Sequence, residues 1–537
     1  MGIADRALTS LLGLPPARTG YRVEPVRVPV RAGYELAADH YAPEGAARGT
    51  ILVRSPYGRG APYNLLYAKV FAARGYHVLL QSVRGTFGSG GQFEPMAHEV
   101  DDGHDTVAWL RGQPWFDGRL ATTGLSYLGY TQWALLADPP PELKTAIIVV
   151  GPHDFWQSTH GTGAFMLNDF VSWSDMVAHQ ESLSRLAMLT RAVTAQRRLA
   201  PALARLPIAE AGAELFDGGA PWYADWVGNP DSAHPMWTPM RHAAALDRVE
   251  VPLLLVGGWF DLFLRQTIEQ YEHLRRRAAD VALLVGPWQH VDIVGKGAPT
   301  VARASLRWLD RHLAGEGAGT RPGRYVTRVY VTGAGQWRDL PAYPVPGTPR
   351  ELWTSGDRLV SAAPPAGGPP TTFSYDPADP TPTVGGRLLA PNGGSRDNAP
   401  LLARRDVVTF TGAVLTEPIE VLGRPVVELR HGCDNPHADL FVRLCEVDSR
   451  GVTRNLSDGY VRLPEASAEP VTVRLELDPM AHRFAAGSRL RLLVAGGSHP
   501  HWARNLGTDE HPATATKLRP AAHTIGAGSK LTLPVSS

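Results

Sequence analysis

Thr122-Thr123-Gly124-Leu125-Ser126-Tyr127-Leu128-Gly129-Tyr130 reads as a strand that runs into a turn and leaves it as a helix, with Ser126 in the turn. A nucleophilic serine needs such a turn to be tight and its neighbours small, so that Oγ projects freely and the backbone can reach an acyl oxygen. Gly124, two residues before the serine, meets that need. The second glycine of the usual pattern stands two residues after the serine, whereas here Leu128 holds that place and Gly129 follows it. By itself the segment is also open to a plain Gly-rich strand-to-helix turn with an incidental serine.

A serine hydroxyl is barely nucleophilic at neutral pH without a base, and an imidazole base needs a carboxylate to fix its tautomer and stabilise its protonated form. On a serine-first scaffold the chain order is Ser, acid, His. Asp261 closes Val256-Gly257-Gly258-Trp259-Phe260-Asp261, after an apolar strand, and His290 closes Val285-Gly286-Pro287-Trp288-Gln289-His290, after the next. Both positions follow strand ends, where an open α/β sheet builds its site. Taken singly, Asp261 is open to a helix-cap reading and His290 to a loop histidine. Together, three residue types in order at three strand ends point to a catalytic triad.

Outward from this core, residues 20–150 alternate short apolar runs with amphipathic stretches, the signature of a parallel sheet with crossover helices. Thr50–Val53, Tyr76–Leu80, Leu120–Thr123 and Thr145–Val150 read as strands, with helices near Leu65–Phe71 and Asp101–Arg111. The pattern stops over 151–247, where helix-like segments rich in Ala, Leu, Arg and Trp suggest an inserted cap. It resumes over 248–320 with strands at Pro252–Val256 and Ala282–Val285 and helices near Leu264–Arg277 and Ala302–Leu313. Beyond a Pro/Gly-rich stretch (Pro364, Pro365, Gly367, Gly368, Pro369, Pro370), 321–537 carries period-two segments such as Val471–Leu477, Leu490–Leu492 and Lys530–Leu533. Alternation of that kind buries one face of a strand and predicts an antiparallel all-β domain.

With 537 residues, more than one domain is expected, and 53 Lys+Arg against 52 Asp+Glu leave a net charge of +1. That balance argues against a nucleic-acid binder working through bulk charge. Two cysteines, Cys433 and Cys445, cannot build a disulfide scaffold or a thiolate zinc site, and two buried thiols is the preferred reading. No apolar run approaches the roughly 20 residues of a membrane span, and the N-terminal stretch, broken by Asp5, Pro15 and Pro16, lacks the form of a signal peptide. The expectation is a cytoplasmic protein with neither membrane nor nucleic-acid partner; a homo-oligomer is compatible with it.

Other features carry less. Glu99-Val100-Asp101-Asp102-Gly103-His104-Asp105 opens a helix, so its acids read as capping and dipole partners rather than metal ligands. Arg84 to Gly91 lacks the Lys-Ser/Thr of a phosphate loop and reads as a tight loop near the site. Arg197 and Arg198 read as a solvated helix face, and Asp154, Asp169 and Asp175 as surface acids, the other reading being partners for a substrate ammonium. Ten of 14 tryptophans fall between Trp109 and Trp288. Core packing accounts for many, while Trp156, Trp173 and Trp259 are the candidates for a ring-lined acyl pocket.

The segments Gly124–Trp133, Gly257–Asp261 and Gly286–His290, with Arg54-Ser55-Pro56-Tyr57 and Arg84–Gly91, resemble the CocE/NonD hydrolases, related to cocaine esterase, X-prolyl dipeptidyl aminopeptidases and α-amino acid ester hydrolases. The β region adds Val331-Thr332-Gly333, Gln336-Trp337-Arg338, Asp376-Pro377, Pro382–Gly386 and Leu456-Ser457-Asp458-Gly459, so the resemblance spans nearly the whole chain. It implies an α/β-hydrolase domain, a helical cap and a C-terminal jelly roll. It implies that Ser126 is the nucleophile, His290 the base and Asp261 its carboxylate, with the Tyr127 N–H and the Tyr57 hydroxyl as oxyanion donors. The displaced glycine also fits, since the family pattern reads Gly-x-Ser-Tyr-x-Gly. The expected activity is cofactor-free, metal-free hydrolysis of a small ester or amide through an acyl-enzyme. Acyl transfer by the same triad is the related alternative, and a non-catalytic binding protein on the same scaffold the alternative from another class.

Overall fold

The computed structural model describes residues 3–316, 327–365, 367–389 and 392–536, so the domain boundary expected at 320/321 lies outside the described residues. The chain divides into two compact units: Met1–Trp156 with Ala233–Gly258 and Phe263–Arg328, and Gln157–Ser232 with Trp259–Leu262 and Val329–Ser537.

The first unit is built on strands β1 (Tyr21–Pro29), β2 (Glu35–Pro43), β3 (Thr50–Ser55), β4 (His77–Ser82), β5 (Leu120–Leu125), β6 (Leu143–Val149), β7 (Leu253–Phe260) and β8 (Val281–Gln289). Their order is β1-β2-β4-β3-β5-β6-β7-β8. The β1/β2 and β2/β4 pairs are antiparallel, and β4 through β7 pair in parallel. Strands β3, β4, β5 and β7 are buried along their whole length, as parallel strands covered on both faces must be. That is why they read as unbroken apolar runs rather than alternating ones.

Among the described residues before the β domain, the α-helices are α1 (Ile3–Leu12), α2 (Val70–Ala72), α3 (Glu99–Arg111), α4 (Tyr127–Leu136), α5 (Phe155–His160), α6 (Leu167–His179), α7 (Arg185–Ala204), α8 (Ile208–Phe216), α9 (Trp222–Gly228), α10 (Ala245–Arg248), α11 (Leu264–Arg276) and α12 (Ala298–His312). The helix expected near 65–71 is instead a π turn, Leu65–Lys69, running into the single turn α2. Every residue of α4 is buried. It therefore lacks the polar face of a surface helix.

In the second unit, α6 to α9 pack an aromatic cluster in which Trp173 lies 6.0 Å from Trp222 and 5.8 Å from Trp226, ring to ring. Residues beyond 347 form thirteen connected strands, paired antiparallel except where Arg358–Val360 meets Val407–Gly412. Their alternating inward side chains, among them Val427, Leu429, Leu440, Val442, Leu492 and Leu531, form one core. This is the all-β jelly-roll domain, interrupted by a single helical turn at Ala399–Leu402. No helix among the described residues is long and apolar enough to cross a membrane.

Candidate active site

Ser126 stands between β5 and α4 with φ 58° and ψ −121°. A positive φ on a non-glycine residue carries on the order of 1–3 kcal/mol of strain and persists only where the surroundings over-determine it. They do so here. The Ser126 N–H donates to the Val149 carbonyl at 2.9 Å, and the Ser126 carbonyl accepts from the N–H groups of Gly129 and Tyr130 at 2.8 and 2.9 Å. Gly124 has φ 156°, and a Cβ on it would stand 2.4 Å from Leu128 Cβ, which excludes any larger residue. Gln132 of α4 ties the helix to the sheet, donating to the Ile147 carbonyl at 3.1 Å and accepting from Thr122 at 2.9 Å.

Tyr57 follows β3 by two residues, and its N–H donates to Ser55 Oγ at 3.0 Å. Its partly buried ring stacks on Tyr63 at 5.3 Å and meets Tyr127 edge-on at 6.5 Å. The fold thus brings Tyr57 against Tyr127, the residue that follows Ser126, from a segment distant in sequence. Tyr127 is buried, and its hydroxyl donates to Glu99 Oε1 at 2.7 Å while accepting the Met96 N–H at 2.9 Å. Burial and the Glu99 charge push its phenol well above the usual tyrosine range, so it stays protonated.

His290 directly follows β8 and is buried, its ring edge-on to Phe263 at 5.6 Å. A capping box fixes this turn: the Gln289 N–H donates to Asp292 Oδ2 at 3.1 Å, and Gln289 caps in return. Asp261 directly follows β7 and is fully buried. The residues beside it are anchored in the second unit, where Trp259 donates to the Tyr330 carbonyl at 2.7 Å and lies 5.5 Å from the Tyr343 ring. On the other side the Leu262 carbonyl accepts from Arg387 at 2.9 Å, and Arg387 is held by Asp478 at 2.6 Å. Of the three tryptophans proposed for a pocket, Trp156 is half-buried with the Arg241 guanidinium 5.6 Å from its ring, while Trp173 and Trp259 are buried.

Several charged residues differ from the sequence expectation. Asp154, Asp169 and Asp175 are buried, not surface acids. Asp154 pairs with Arg241 at 2.9 Å, Asp175 with Arg191 and Arg198, and Asp169 lies 3.8 Å from His501. Arg198 therefore faces inward from α7 rather than into solvent. The acids of α3 are also more than dipole partners: Glu99, Asp102 and Asp105 pair with Arg54, Arg84 and Arg31. Periodicity marks which face of a helix is buried but does not reveal an arginine arriving from a distant segment. Nor did it reveal Gln266, whose side chain accepts the N–H groups of His153 and Asp154 at 2.9 and 3.0 Å and stiffens the chain after β6.

A strained serine at a strand-to-helix turn of a largely parallel sheet is the backbone arrangement of an α/β-hydrolase nucleophile turn. Residues 32–292 match the X-Pro dipeptidyl-peptidase (S15 family) model, and residues 321–536 match the model of the X-Pro dipeptidyl-peptidase C-terminal non-catalytic domain. The chain is 28% identical to cocaine esterase of Rhodococcus sp. (strain MB1 Bresler), over 90% of its own length and 92% of the relative's. Among solved structures it is similar to an α-amino acid ester hydrolase (TM-score 0.80, 23% identity, 97% of each chain). It is similar also to an aminopeptidase from a marine sediment archaeon, Thaumarchaeota archaeon (TM-score 0.81, 21% identity, 96% and 97% of the two chains). The matches make the chain similar to the X-Pro dipeptidyl-peptidase (S15 family) proteins in both of its parts, and it is a serine hydrolase acting on ester or amide bonds.

Proposed function

We propose that Ser126 attacks the carbonyl carbon of a small ester while His290 Nε2 takes its proton and Asp261 stabilises the imidazolium. The Tyr57 hydroxyl and the Tyr127 N–H hold the oxyanion, His290 returns the proton to the departing alcohol, and water repeats the cycle on the acyl-enzyme. Two such preorganised donors are each worth about 3 kcal/mol at the developing charge. The chemistry is assigned to 1–150 with 248–320, a selective cap to 151–247, and a structural role to the jelly roll at 321–537. An ester is favoured over an amide by the likeness to cocaine esterase.

The observation that carries this reading is the strained Ser126 backbone, closed by three hydrogen bonds and adjoined by the Tyr57–Tyr127 ring contact. It is tested by stopped-flow hydrolysis of p-nitrophenyl acetate and butyrate by wild type and Ser126→Ala, with a fluorophosphonate label in parallel. Turnover and labelling should both vanish in the variant. Turnover unchanged in folded Ser126→Ala assigns the nucleophile elsewhere.

A further inference from the structure

One buried ion pair touches both segments that carry the proposed oxyanion donors, the end of β3 before Tyr57 and the start of α4 at Tyr127. Arg54, on β3, approaches Glu99 twice: its Nη1 donates to the Glu99 carbonyl at 2.8 Å, and its Nη2 lies 2.8 Å from Oε2 as a charge contact outside hydrogen-bond alignment. The third edge of the guanidinium is used as well, Nε donating to Gln81 Oε1 at 3.0 Å. Space for it comes from Gly103 of α3, where an added Cβ would stand 3.2 Å from Arg54 Nη1. The other carboxylate oxygen of Glu99 accepts from the Tyr127 hydroxyl at 2.7 Å. Arg54 is followed by Ser55, Pro56 and Tyr57, and Ser55 Oγ accepts the Tyr57 N–H. Tyr57 and Tyr127 then meet ring to edge.

A closed circuit results: Tyr57, the end of β3, Arg54, Glu99, Tyr127 and back to Tyr57. Arg54 and Glu99 are 4% exposed and Tyr127 1%. Burial of this kind loses in desolvation about what it regains in attraction, so a buried pair is weak evidence for stability by itself. Burial raises the Glu99 carboxyl, and Arg54 and the Tyr127 hydroxyl pull it back down. A direction-setting role suits such a pair, because the N–H of Tyr127 and the hydroxyl of Tyr57 come from two different segments and must converge on one oxygen atom.

We infer that the Arg54–Glu99 pair fixes the spacing between the two proposed oxyanion donors, which makes Arg54 and Glu99 positioning residues for the reaction. This rests on the reading of Ser126 as nucleophile. Misplacing a reacting group by about 1 Å costs on the order of 100-fold in rate, so loosening the circuit is expected to lower kcat by about 10- to 100-fold while KM stays within about two-fold.

The test uses the full chain with Glu99→Gln, Tyr127→Phe and, as a variant that keeps the positive charge, Arg54→Lys. A fluorophosphonate titre counts competent Ser126 sites, and kcat for p-nitrophenyl butyrate is expressed per titrated site. A positioning role lowers kcat per site and weakens inhibition by butylboronic acid, which mimics the tetrahedral adduct, in parallel. In a Tyr57→Phe background the Glu99→Gln loss should shrink, since one of the two donors is already gone. A purely structural role reduces the titre but leaves kcat per site within about two-fold of wild type, as rate follows the count of folded sites, and that result overturns the inference while Ser126 stands. If Ser126→Ala retains turnover, both readings fall together.

Discussion

Gly129 and Gly151 lie backbone against backbone, so close that a Cβ added to Gly129 would stand 2.6 Å from the Gly151 Cα. This contact seats the first turn of α4 against the chain leaving β6. It also explains why the second glycine of the serine segment is displaced by one residue: Leu128 packs under Gly124, and Gly129 is the position that meets the neighbouring backbone. Gly129→Ala is expected to destabilise the fold by about 1–3 kcal/mol, because the obstruction is backbone that cannot swing aside. Urea unfolding followed by tryptophan fluorescence measures it, and a midpoint equal to wild type would show that the contact relaxes freely.

Removal of the Tyr57 hydroxyl should cost turnover and spare the fold. An oxyanion donor is worth about 100- to 1,000-fold in kcat, so Tyr57→Phe is expected to fall by that factor with KM and unfolding midpoint little changed. A loss of less than three-fold would remove Tyr57 from the oxyanion site.

Acid should destabilise the first unit through two buried histidines. Burial lowers His153 to about 3 and His242 to about 4, the latter with its Nε2 2.8 Å from the Tyr130 hydroxyl. Below pH 6.5 the unfolded chain takes up protons that these folded imidazoles refuse. Their stabilisation is therefore complete above pH 6.5 and is lost as pH falls toward 4, by about 1.4 kcal/mol per pH unit for each. Denaturant curves at pH 7, 6 and 5 should show this slope, and His242→Gln should flatten it. An equal slope in the variant would assign the acid sensitivity to other groups.

In the second unit Arg443 holds Asp458 through two bonds of 2.7 Å, with both side chains almost fully buried. Asp458→Ala removes the carboxylate that the buried guanidinium is bonded to and is expected to destabilise by about 3–5 kcal/mol. Differential scanning calorimetry reads it directly. A change below 1 kcal/mol would mean that water reaches Arg443.

The two thiols should be inert in the native protein. Cys445 is fully buried and pushed up to about 12 by that burial, and buried Cys433 is raised as well. DTNB is expected to titrate neither in buffer and both in guanidinium. Rapid native reaction would contradict the packing around the strand Asp439–Val447.

The sequence by itself determined the layout. Short apolar runs bounded by turn residues pointed to doubly covered parallel strands, and alternation beyond residue 321 to half-buried antiparallel ones, because side-chain direction repeats with the backbone period. The strand-end positions of Ser126, Asp261 and His290 were legible for the same reason, each directly following a strand. The tertiary structure alone decided what pairs with what. Glu99 read as a helix-opening acid, and only the folded chain shows it gripping Arg54 and Tyr127. Asp154 and Asp175 read as surface acids and are buried against arginines from other segments. Local spacing fixes the face on which a side chain emerges, but the identity of its partner depends on which distant segment the fold lays against that face.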